Sequence, residues 1–351
     1  MGQNQLPDIG GAPVVQLTAS GESEGPRFVG ATVAPGRGML LLQARVWLPG
    51  RGEADLLATP PLEEVAASMG GPDDFAGNVS FSLGGAILLP YANRIRGRAV
   101  QGRQVETQVL GKTVRLPMNW GGKAPGAEQY AMHGLMLDTP FEITGSAADR
   151  VSGQLHAGDF DGHWLSSTDV AVEYRLSASA LELSVEVTNA GEGPLPVGIG
   201  WHPWFNLPSG DRTQALLHVP AKSRTAVNDY DEVLPTGEFL MLDATPYDFS
   251  KARPLRDLYL DDCFTDLEGG PAEVIDPAAG LGLRISGAAP VRAFQVYAPP
   301  DRPVVVVEPQ FNLADPFGPE WQGADTGMVI LQPGERTHYE AGVELFAVQA
   351  P

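Results

Sequence analysis

A chain of 351 residues with one cysteine and a formal charge of −20, from 23 basic and 43 acidic residues, rules out an internal disulfide framework. It also argues against nucleic acid, anionic membranes and polyanions as partners, because long-range repulsion slows their approach. No basic leader or apolar segment opens the sequence, and the longest apolar runs, 86–90 and 304–307, are far too short to span a bilayer. The expectation is a soluble, cytoplasmic protein with a core large enough to need no staples, leaving small neutral or polar molecules as ligands.

Residues 1–26 are rich in Gly, Gln, Ser and Glu and read as a tail with one edge strand at most. From Met39 onward Leu42, Ala44, Val46 and Leu48 alternate with Gln43, Arg45 and Trp47, the period of a half-buried strand. A short helix is expected at 62–67, after Pro60-Pro61. Strand-like runs then follow at 105–110 and 113–116, joined by a turn at Gly111-Lys112, and at 170–176 and 181–188. A second hairpin is expected between 273–275 and 281–285, with further strands at 291–297, 304–308, 328–331 and 338–348. The 31 prolines and 42 glycines leave no room for a sustained helical period. This predicts an all-β chain, a large antiparallel sandwich with few short helices, forming one domain over 27–351.

The stretch 198–207, Gly-Ile-Gly-Trp-His-Pro-Trp-Phe-Asn-Leu, is the densest in chemical groups. Pro203 biases His202 toward an extended backbone, and Trp201, Trp204 and Phe205 surround it in sequence. A buried, satisfied core histidine is the plain alternative; polar Asn206 and the aromatic density favour a walled pocket. Asn93-Arg94, with Arg96 close by, reads as a solvated turn or a polar rim, and His133 before Gly134 as packing or ligand. Asp261 and Asp262 stand against apolar residues, and Glu308-Pro309-Gln310 closes a run of four valines. A histidine and a carboxylate suit acid–base work near neutrality, since burial can bring both into range. No Gly-x-Ser-x-Gly elbow or phosphate loop occurs, and Asp159-Phe160-Asp161-Gly162-His163 lacks the remaining positions of a calcium loop, so no metal is expected.

The ordered set Asn93-Arg94-Ile95, His133-Gly134, His202-Pro203-Trp204-Phe205-Asn206, Leu234-Pro235-Thr236-Gly237, Asp261, Glu308-Pro309-Gln310 and Leu331-Gln332-Pro333-Gly334 resembles the aldose 1-epimerases (galactose mutarotases) from about residue 28 to the end. The resemblance implies a β-supersandwich with a cleft, no cofactor, and interconversion of the α and β anomers of a free hexose. Glu308 is then the base at the anomeric hydroxyl and His202 the acid at the ring oxygen. Arg94, His133 and Asp261 bind or polarise the sugar, with Asn93 and Gln310 as lesser contacts. Trp204, where the family often has tyrosine, is expected to offer a ring face and an indole N–H. Phe141 near a usual tryptophan and Asp262 beside Asp261 are departures. Two other readings stay open. One is a hexose-phosphate epimerase using Arg96 and Arg98; the other is a non-catalytic carbohydrate-binding protein.

Overall fold

The computed structural model describes residues 6–349. Two large antiparallel sheets dominate it, one of eleven strands and one of nine. Their facing sides share one apolar core that includes Phe28, Trp201, Phe205, Phe294 and Val307 with Tyr174, Leu183, Val185 and Tyr339. Tyr339 Oη donates to the Pro309 carbonyl at 2.7 Å, and its ring meets Phe311 edge-on at 5.5 Å, tying the smaller sheet to the larger. The architecture is a large antiparallel β-sandwich.

Alternation in the sequence carries through where one face of a strand is wet. Leu40–Leu48 buries Leu42, Ala44, Val46 and Leu48, and Ala180–Asn189 buries Leu181, Leu183, Val185 and Val187. The helix after Pro61 runs Leu62–Ser68, with Glu63 and Glu64 in its first turn, where the helix dipole favours acid. The hairpin of Gln104–Val109 with Lys112–Pro117 turns one residue earlier than the sequence suggested. Val109 pairs with Lys112, so Leu110 and Gly111 form the turn, both at positive φ as the strand twist demands. Val15–Thr18 pairs with Arg27–Ala34 at one edge of the larger sheet. Among the described residues no helix is long and apolar enough to cross a membrane.

Four adjacent strands of the larger sheet position the site: Leu260–Leu267, Ala293–Ala298, Val304–Gln310 and Gly200–Asn206. Side chains alternate between faces along each. Trp201, Phe205, Phe294, Val296, Val305 and Val307 enter the sandwich core, while Trp204, Val304 and Val306 cluster on the opposite face. Gly200–Asn206 gave no alternation in sequence because all but Asn206 is buried. Its glycine neighbourhood is a packing requirement: a Cβ on Gly198 would stand 2.0 Å from Asn312 Oδ1, and one on Gly200 2.9 Å from the Ala92 Cβ.

Candidate active site

A cleft of about 330 Å³ opens on the face of the larger sheet that points away from the core. Asn93, Arg94, His133, His202, Trp204, Asp261 and Glu308 all line it. They come from sequence positions more than two hundred residues apart. Antiparallel register brings them together: Glu308 stands opposite Gln295, Tyr297 opposite Asp261, and Trp204 opposite Val306. A wider depression of about 520 Å³ on the nine-stranded sheet is lined by Glu173, Arg175, Glu182 and Glu340; its Arg175 is ion-paired with Glu173, and no histidine lines it.

His202 Nε2 lies 3.4 Å from Glu308 Oε1, with both side chains almost wholly buried (7% and 2% exposed). Burial disfavours the charged form of each. The imidazole is pushed down to about 4. The carboxyl is pushed well above the usual carboxylate range, chiefly by desolvation and then by Asp261, while Arg94 opposes the shift. Both shifts favour the uncharged forms, so the proton the pair can exchange is favoured on Glu308 over His202. Among the described residues His202 Nδ1 and Glu308 Oε2 have no hydrogen-bond partner. Buried polar atoms left unpaired are costly, so such atoms in a cleft point to a ligand or water as the missing partner.

His133 is fixed in both conformation and tautomer. Asn93 N–H donates to His133 Nδ1 at 3.2 Å, and His133 N–H returns to the Asn93 carbonyl at 2.9 Å. The ring proton therefore belongs on Nε2, and burial, with His202 and Arg94 nearby, keeps the imidazole neutral. Both residues sit at left-handed φ, 62° for Asn93 and 60° for His133. For residues with a Cβ this costs free energy that the surrounding bonds must offset. Those bonds form a network. Arg94 Nη1 donates to Asn93 Oδ1 at 2.8 Å, and Asn93 Nδ2 to Gln295 Oε1 at 3.1 Å. Gln295 Nε2 donates to Asp261 Oδ1 at 2.6 Å, and Arg94 Nη2 meets Asp261 Oδ2 at 3.4 Å. Arg94 and Asp261 therefore enter the site as a neutralised pair in fixed orientation.

A profile of the family described as aldose 1-epimerase matches residues 62–343. The chain belongs to the aldose 1-epimerase family. A curated relative, "Uncharacterized protein YphB" of Escherichia coli (strain K12), is 26% identical over 188 residues, 50% of this chain and 59% of that protein. The chain thus matches little more than half of that relative's length. Similar solved structures include a galactose mutarotase-like protein from Clostridium acetobutylicum. Its TM-score is 0.76 at 16% identity, covering 97% of each chain. Another is the GalM/aldose epimerase homologue from C. elegans, with TM-score 0.72 at 18% identity, covering 96% of this chain and 99% of that one. A galactose 1-epimerase from Lactobacillus acidophilus NCFM follows, at 0.66 and 17%, covering 96% and 99%. At these identities the likeness establishes a common fold.

Several positions in this member of the aldose 1-epimerase family differ from the expectation. Gln310 shares the cleft face with Glu308 but does not line the cleft. It is fully buried, donates to Cys263 Sγ at 3.4 Å and stands opposite Ala293 in register, both members of the cluster of Cys263, Ala293, Leu313 and Trp321. Trp204 offers its ring face only, because its indole N–H is used on the Phe81 carbonyl at 2.8 Å. Asp262 projects to the opposite face from Asp261, ion-paired with Arg224 and accepting from Tyr230 Oη at 3.1 Å. Phe141 is core. Arg96 pairs with Glu128 and Arg98 with Glu106, and neither lines the cleft. Asp159 accepts from Gly162 N–H in a local turn. Sequence reasoning missed Gln295, whose signal was a lone polar residue inside an apolar strand, and the cleft residues Phe81, Trp120, Tyr230 and Arg302, which had no local signal at all.

Proposed function

We propose that the protein is an aldose 1-epimerase acting on a free hexose, and that His202 and Glu308 exchange protons with the hemiacetal. The observation that carries this reading is the buried His202–Glu308 pair, 3.4 Å apart in the cleft. Ring opening moves a proton from the anomeric hydroxyl to the ring oxygen, and these two oxygens share one carbon. An acid and a base must then stand close together, and the pair needs only one transferable proton between its members. In the productive state Glu308 is the base and His202 the acid. Their proton must move from the carboxyl to the imidazole as sugar enters. Sugar hydroxyls bonding to the carboxylate, together with Arg94, favour that transfer.

After O–H deprotonation the ring C–O bond breaks and His202 delivers its proton to the leaving ring oxygen. The aldehyde rotates about the bond to its neighbouring carbon. Closure on the other face returns the proton from the hydroxyl to His202 while Glu308 gives its own to the carbonyl oxygen. His133 Nε2–H and the Arg94–Asp261 pair orient the sugar, and Trp204 and Phe81 supply ring faces for its C–H surface. Each well-placed proton-transfer group contributes roughly 100- to 10,000-fold. A purely binding protein has no use for an ionisable pair buried with unpaired atoms. Polarimetry on freshly dissolved α-glucose and α-galactose tests the proposal: acceleration lost in Glu308→Gln supports it, and decay at the buffer rate for every hexose tried rejects it.

A further inference from the structure

We propose that the cleft mouth binds an anionic substituent of the sugar through Arg302 and Lys123, an inference that rests on the epimerase reading of the same site and replaces its uncharged hexose by one that carries an acidic group away from the anomeric carbon. Three cations line the cleft: Arg94, Lys123 and Arg302. Arg94 is satisfied by Asp261, Asn93 and Tyr130. The nearby Asp231 carboxylate accepts from the backbone N–H groups of Lys123, at 3.1 and 3.0 Å, and Ala124, at 3.2 Å. It thereby anchors the loop and leaves the Lys123 ammonium without an ion pair among the described residues. Arg302 likewise has none among the described residues, although Asp301 precedes it. On a protein of charge −20, two uncompensated cations facing one cleft stand out, and the other arginines near the site, Arg96 and Arg98, are already held by carboxylates.

Position gives this pair a purpose. The Arg302 guanidinium lies 5.0 Å from the centre of the Trp204 ring. Trp204 in turn lies beside His202, with centres 5.6 Å apart and planes tilted by 31°. Stacking on an indole holds a guanidinium by its face and leaves its N–H fork free for a carboxylate or phosphate. His202 is assigned to the ring oxygen, and the carbon on the far side of that oxygen carries the exocyclic substituent of a hexose. A group there extends from His202 along Trp204 toward Arg302. Pro303 restrains the Arg302 backbone, and its carbonyl accepts from Leu207 N–H at 2.9 Å. The ligand class is a hexose bearing an acidic group at its exocyclic carbon, either a phosphate ester or a carboxylate.

Calorimetric titration of glucose, glucose 6-phosphate and glucuronate into the wild-type protein and Arg302→Ala/Lys123→Ala reads the subsite whether or not a sugar turns over. NMR exchange between anomers at equilibrium reads turnover of the same three. The expected result is about tenfold tighter binding of at least one acidic sugar than of glucose. That preference should collapse toward one in the double variant and weaken with added salt; whether the phosphate or the carboxylate gains identifies the substituent. Equal or weaker binding of both acidic sugars, or a preference untouched by the double substitution, overturns the inference. Exchange at the buffer rate for all three sugars rejects the epimerase reading, with the titration still deciding the subsite.

Discussion

Replacing His202 with asparagine tests both the chemistry and the dryness of the site. The folded protein holds this imidazole at about 4, against 6.5 for an exposed histidine. At about 1.36 kcal/mol per tenfold change in proton affinity, that difference is worth about 3 kcal/mol. The unfolded chain takes up a proton below pH 6.5, whereas the folded one does so only near pH 4. The contribution is therefore complete above pH 6.5 and is lost as pH falls through 4. Glu308 acts with the opposite sign: its raised carboxyl favours the fold below the ordinary carboxylate range and loses that contribution as pH rises. Performing the comparison in a Glu308→Gln background removes this opposing slope. Urea unfolding at about pH 7.5, 5.5 and 4 should show the wild-type imidazole losing about 3 kcal/mol relative to His202→Asn across the window, by linear extrapolation. Mutarotation by His202→Asn should fall roughly 100- to 10,000-fold. A stability gap that does not change with pH would refute the buried, neutral imidazole, and full activity would remove His202 from the proton path.

Other expectations follow from single contacts. Glu308→Gln should lower kcat by roughly 100- to 10,000-fold while its melting temperature at neutral pH holds or rises, since a desolvated acid is replaced by an amide. Trp204→Phe keeps a ring face but strands the Phe81 carbonyl, and should cost about 1–2 kcal/mol in urea with a modest rise in KM. Asn93→Ala places a Cβ residue without a compensating amide at a φ of 62° and cuts the bonds to Arg94 and Gln295. It should destabilise by about 1–3 kcal/mol and raise KM more than it lowers kcat, measured by denaturation and polarimetry. Asp74→Ala leaves Arg37 buried without its 2.9 Å partner and should cost about 3–5 kcal/mol in thermal or urea unfolding.

Much of the fold was readable where strands have one wet face, as in Leu40–Leu48 and Ala180–Asn189, because the period of two is then visible. It was unreadable for Gly200–Asn206, buried on both faces, and for Glu142–Ala147, exposed throughout, where no period exists. The site shows the same division. His202, Glu308, Asp261 and Arg94 stood out as polar residues in apolar surroundings, and the register of the large sheet gathers them. Gln310 stood out for the same reason yet serves the packing around Cys263, since a strand position does not reveal what covers it. Arg302, Lys123, Trp120 and Phe81 reach the cleft from segments whose meeting depends on the completed fold.

Asp261 and Asp262 are chemically identical neighbours with unrelated duties, one lining the cleft and bonded to Arg94 and Gln295, the other outside its lining and bonded to Arg224 and Tyr230. A slip of the strand Leu260–Leu267 by a single residue would still present an acid to the cleft. Composition at that point cannot distinguish right from wrong assembly; the bulk of Phe264 and Leu260, buried on the core side, must do so. The alignment of Asp261 in the cleft is thus guarded by two apolar residues that belong to the core and do not line the cleft. Substitutions that shrink them would be expected to harm recognition before they unfold the protein.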